Sequence, residues 1–131
     1  MKVQLPNQQI DLDDFTEELD KLIEEKSEAL NTINIAVNEY VKLKNNYVTK
    51  SNKLRITTDF KEAMNLSKAA TEKQQQAYID NQLYETLQDL RIAEENVKSW
   101  KREADLLDDK ITSKKYQLKI MMGLLDGQCK S

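Results

Sequence analysis

A lone tryptophan stands among cations: Lys98, Trp100, Lys101 and Arg102. An indole can stack on an unpaired base while neighbouring cations hold phosphates, so this group is a candidate nucleic-acid contact. Lys42 and Lys44, followed by Lys50, Lys53 and Arg55, make a second basic patch. Glu103 and Asp105 follow the first patch closely and would repel phosphate, which weakens that reading. The adjacent carboxylates Asp108-Asp109 and Glu94-Glu95 could in principle hold a metal ion or move a proton. On an amphipathic helix such neighbours are ordinarily solvated surface, and no metal or catalytic role is expected for them. Histidine is absent, which removes the commonest general base and metal ligand. The single cysteine, Cys129, excludes a Cys-rich zinc site and an internal disulfide, and fits a reducing cytosol. Two glycines leave no phosphate-cradling loop and no dinucleotide fingerprint. The acidic run from 11 to 28 lacks the Gly and alternating oxygens of a calcium loop. Neither an enzyme nor a cofactor is expected.

The elements that would carry these residues are easier to read. Sevens counted from Leu83 give Leu83, Leu90, Val97, Ala104, Ile111, Leu118 and Leu125. Sevens counted from Ile79 give Ile79, Thr86, Ala93, Trp100, Leu107, Lys114 and Met121. Only Thr86 and Lys114 are off-type in this a/d pattern, whose 3.5-residue period keeps one seam of a helix facing a partner. Trp100 falls on the seam and is therefore expected in the core, with Lys98, Lys101 and Arg102 as a solvated rim. The first half of the chain repeats the pattern. Its a positions are Leu12, Leu19, Lys26, Ile33, Tyr40, Tyr47 and Leu54; its d positions are Phe15, Leu22, Ala29, Ala36, Leu43 and Lys50. Lys26 and Lys50 are its exceptions.

Element ends follow from capping chemistry. Residues 1–10 contain Pro6 and polar neighbours and are expected to be extended or frayed. Helix 1 is expected over 11–57, started by acids that can accept from free N–H groups. A connector over 58–71 is expected to hold a short helix near Phe60 to Leu66, capped at Asp59. Thr71-Glu72-Lys73-Gln74 has capping-box spacing and opens helix 2 over 72–125, with Gly127 as its stop and 126–131 as a tail. Gly123 falls in the last turn and could shorten the helix. The whole, 1–131, is read as one helical domain.

Charge sets the direction of packing. Residues 11 to 28 hold nine acids against Lys21 and Lys26, whereas 39 to 55 are basic, 80 to 95 acidic and 110 to 119 basic. An antiparallel hairpin sets unlike blocks side by side, and a parallel pair would set like blocks together. The net charge of −3 gives no overall pull toward nucleic acid or anionic lipid. No apolar run approaches the ~18 residues of a membrane span, so no membrane partner is expected. The Asn65-Leu66-Ser67 sequon is read as chance, for want of a secretory signal.

One seam does not use all the apolar residues. Ile23, Leu30 and Val37 lie at e positions of helix 1, and Ile92, Leu106 and Ile120, with Tyr78, lie on a c line of helix 2. A single partner helix cannot cover both lines. The expected fold is therefore all-α: a long, coiled-coil-like antiparallel helical hairpin, completed by the short connecting helix and by dimerisation into a helical bundle. Ile23, Leu30, Val37, Ile92, Leu106 and Ile120 are the candidate protein-binding residues.

A leucine-heptad helix, then Thr58-Asp59-Phe60-Lys61, then Thr71-Glu72-Lys73-Gln74-Gln75-Gln76-Ala77-Tyr78-Ile79 and a second heptad helix form a pattern over most of the chain. In this it resembles small helical-hairpin proteins of phages that infect Gram-positive bacteria, encoded among early genes near single-strand annealing and replication functions. The resemblance implies a non-enzymatic accessory protein in the host cytoplasm, and it carries no binding residues over. The function expected is a protein-binding module that self-associates or modulates a replication, recombination or host-defence protein. The alternative is a nucleic-acid-binding accessory that uses Lys98, Lys101, Arg102, Lys42 and Lys44.

Overall fold

The computed structural model describes residues 1–5, 8–66 and 70–130, with 5, 8, 66 and 125–130 as backbone. Its elements, in order, are β1 (Lys2–Leu5), β2 (Gln8–Asp11), α1 (Leu12–Arg55), α2 (Thr58–Leu66), α3 (Glu72–Gln82) and α4 (Tyr84–Lys130). The long helices α1 and α4 pack against each other as a helical hairpin, as the charge blocks and heptads predict. Contacts divide the chain into two compact units, Met1–Ile33 with Trp100–Ser131, and Asn34–Ser99.

In the first unit the start of α1 lies against the end of α4. Lys114 Nζ donates to Glu18 at 2.9 Å, and Lys26 Nζ to Asp108 at 2.6 Å. The α1 number rises as the α4 number falls, which is the antiparallel direction. The buried seam positions Ala29, Ala104 and Leu107 cluster with Leu22 and Ile33. Of the N-terminal ten residues, 2–5 and 8–10 are extended rather than frayed. Strands β1 and β2 pair antiparallel, with Val3 opposite Ile10. Val3 is fully buried, and it packs with Phe15 and Met121, flanked by Ile10, Leu12 and Leu118. The β-ribbon thus covers apolar side chains that the helix pair alone would leave wet. Asp11 Oδ1 then accepts from Asp13 N–H at 3.0 Å and caps α1.

In the second unit the end of α1 meets α2, α3 and the start of α4. The predicted capping box is present: Thr71 and Gln74 exchange side-chain-to-backbone bonds at 2.9 and 3.2 Å. The α2 cap is Thr57 rather than Asp59. Its hydroxyl accepts from Phe60 N–H at 3.2 Å and donates to Leu54 O at 2.6 Å, so one side chain closes α1 and opens α2. Phe60 is buried and meets Tyr78 edge-on, with ring centroids 5.6 Å apart.

Two boundaries of helix 2 differ from expectation. A break at Leu83 separates α3 from α4, although Leu83 N–H still reaches Ile79 O and Leu87 N–H reaches Leu83 O, both at 2.9 Å. No Gly or Pro marks it. The end lies at Lys130 rather than near 125, so Gly123 and Gly127 fall inside the helix and no tail begins at 126. Pro6, Ser67 and the side chains of Leu125 and Cys129 lie outside the described residues.

Candidate protein-binding surface

The polar exceptions in the two heptads are paired with one another or with flanking acids. Lys50 Nζ reaches Thr86 Oγ1 at 3.4 Å, joining an off-type residue of α1 to one of α4. Lys26 takes Asp108, whose carboxyl is held below its usual range first by that hydrogen bond and then by the lysine's charge. Lys114 takes Glu18 and lies over the Phe15 ring, 4.6 Å from its centroid. Such contacts fix register more than they add stability, because partly exposed ion pairs are worth ~0–1 kcal/mol.

Tyr47, also on the seam, anchors a polar network in the second unit. Its hydroxyl donates to Asp80 Oδ1, and Gln76 Nε2 donates to both, at 2.7 Å to the hydroxyl and 2.8 Å to the carboxylate. Arg55 Nη2 donates to Gln76 Oε1 at 3.2 Å. Partial burial, and then the bond to Asp80, push the Tyr47 phenol above its ordinary value. The hydroxyl of Ser51, one turn on, is buried close enough to the Tyr47 phenol to offset part of that rise, although it makes no hydrogen bond of good geometry among the described residues.

With the seam so occupied, most residues of the second apolar lines remain uncovered. Ile92 is 67% exposed and Leu106 56%; Ile23, Leu30 and Ile120 are also exposed, and Val37 is half-buried. Ile35, Val41 and Val48 on α1 and Tyr116 on α4 are exposed as well, and the sequence reading did not single them out. Their b, c and f positions lie off any line repeated along a whole helix. In the second unit, an open groove of about 430 Å³ is lined by Ala36, Leu43, Ile92 and Ala93 together with Glu39, Asp89 and Asn96.

Trp100 departs from expectation. It is 36% exposed rather than core, the one seam position of α4 other than Thr86 and Lys114 that does not carry a covered apolar side chain among those with described side chains. Ala29, Ala104 and Leu107 form the buried cluster at this layer, with Leu22 and Ile33 packed against it, and the indole is not part of it. The ring instead lines a groove of about 240 Å³ with Ala29, Thr32, Leu107 and three acids, Glu25, Glu28 and Glu103.

The basic residues are not gathered around that ring. Lys98 is engaged by Glu94 and Glu95 of its own helix, at 3.4 and 3.6 Å. Lys101, Arg102, Lys42 and Lys44 are exposed, and Lys101 and Arg102 do not line the Trp100 groove. Among the described residues no cluster of His, Cys, Asp or Glu could hold a metal ion, and no helix is long and apolar enough to cross a membrane. No family model, curated protein or solved structure matches the chain.

Proposed function

We propose that this chain is a non-enzymatic protein-binding module, a helical hairpin that pairs with a second copy of itself and serves as accessory or modulator of another protein. The observation that carries the reading is the exposure of Ile23, Leu30, Ile92, Leu106 and Ile120 beside seams that are already closed. Exposed apolar rows of this kind mark interaction sites on soluble domains. A twofold interface suits them, because each row can then meet its own symmetry mate. The phage resemblance supplies the setting: a replication, recombination or host-defence protein in the host cytoplasm is the partner class.

Light scattering at micromolar concentration tests the self-pairing. The wild type is expected at twice the 15.3 kDa chain mass, and Leu30→Glu combined with Ile92→Glu at the single-chain mass. A wild-type monomer there rejects the homodimer.

The second reading, a nucleic-acid accessory, draws on Lys42, Lys44, Lys101 and Arg102, exposed cations without an acidic partner among the described residues. Binding of single-stranded DNA that weakens steeply with salt, and that is lost on changing these four to Gln, would favour it.

A further inference from the structure

We infer that the Trp100 groove receives an arginine side chain from a basic segment of another protein. This rests on the protein-binding reading above and names one of its sites. Three observations converge on it. First, the ring is accessible, and it forms a wall of a formed groove rather than standing alone on a helix surface. Second, the charged side chains lining the groove are Glu25, Glu28 and Glu103, and among the described residues none of them has a cationic partner. Third, the nearest lysine along α1, Lys26, is committed to Asp108 at 2.6 Å. Among the described residues no ion pair therefore engages the groove's three acids, and Lys101 and Arg102, beside Trp100 in the sequence, do not line it.

Guanidinium meets these features together. It is planar and weakly hydrated, so it stacks on an indole face while its N–H fork pairs with carboxylates. The aliphatic stem of arginine can lie on Ala29 and Leu107. Phosphate is excluded by the same three acids, so this ring is not a base-stacking platform.

Trp100 is the only tryptophan, so its fluorescence reports on the groove directly. The probes are a synthetic amphipathic helical peptide with a leucine face and arginine flanks, its glutamate-for-arginine counterpart, and a single-stranded oligonucleotide. The arginine peptide is expected to shift the emission saturably, and the other two to leave it unchanged. Glu25→Gln with Glu28→Gln and Glu103→Gln is expected to weaken binding about tenfold or more, with helicity preserved by circular dichroism. Glu28→Gln alone, a milder change, is expected to weaken it measurably. The Leu30→Glu, Ile92→Glu variant is expected to bind the peptide as the wild type does.

The inference is overturned if the arginine peptide gives no saturable shift, if the glutamine variants bind equally well, or if the oligonucleotide shifts the emission comparably. It is also overturned if Trp100→Ala abolishes dimer formation in light scattering, because a second copy then fills the groove. Failure of the peptide with the dimer intact rejects the groove assignment alone; a monomeric wild type that still binds the peptide rejects only the self-pairing.

Discussion

At the scale of single residues, Ile79 and Trp100 share a heptad register and have opposite surroundings. Ile79 is fully buried, and Trp100 is more than one-third exposed. Ile79→Ala is expected to cost ~2–5 kcal/mol, as core truncations do. Trp100→Ala is expected to cost less than Ile79→Ala, against the ~3–5 kcal/mol of a buried aromatic. Urea unfolding of the two variants checks the order. Tyr47 gives a test through pH. Its phenol is raised above 10.0 in the fold, so the folded state holds the proton more tightly than the unfolded chain. The stabilisation from that difference is complete below about pH 10 and is lost as pH rises through the folded value. The stability gap between wild type and Tyr47→Phe is expected to shrink above pH 10. A gap that widens there would contradict the network around Asp80.

Elements differ in how plainly the sequence announces them. The seams of α1 and α4 were legible because a 3.5-residue period repeats over many turns. Leu12, Phe15, Leu19, Leu22, Ala29, Ile33 and Ala36 are all covered, as are Ala93, Val97, Ala104, Leu107, Ile111 and Met121. The cap at Thr71 was legible from its Gln three residues on. The β-ribbon was not, because strands of four residues hold too little alternation to stand out beside a proline. The Leu83 break has no Gly or Pro to signal it, and nothing in the heptad marks Trp100 as left out of the buried cluster. Gly127 reads as a stop because a C′ glycine and a helical glycine look alike in sequence, whereas α4 runs through it. Gly123 supports a prediction of its own. A methyl group added there would meet nothing within 4 Å among the described residues, and the residue is exposed within a helix. Gly123→Ala is expected to stabilise by about 0.5–1 kcal/mol, measured as a rise in Tm. Packing at the α1–α4 pair can be checked by Leu12→Cys with Met121→Cys in a Cys129→Ser background. These two side chains belong to one apolar cluster, and the crosslink is expected within one chain.

At the scale of the whole molecule, the proposal is that apolar residues left over from the intramolecular seams serve contacts between molecules. The candidate lines were legible as positions, since Ile92 and Leu106 lie one residue before the seam positions Ala93 and Leu107. Their exposure was not, because an added layer from α2 or the N-terminal ribbon could have covered them. Thiol labelling across a dilution series tests the claim most directly. Single cysteines replace Ile23, Leu30, Ile92, Leu106 and Ile120 in turn, with Cys129→Ser throughout, and Glu24→Cys serves as a control away from the lines. Labelling at the five positions is expected to slow as protein concentration rises, while the control rate stays constant. Labelling at all five that is fast and independent of concentration would contradict the claim.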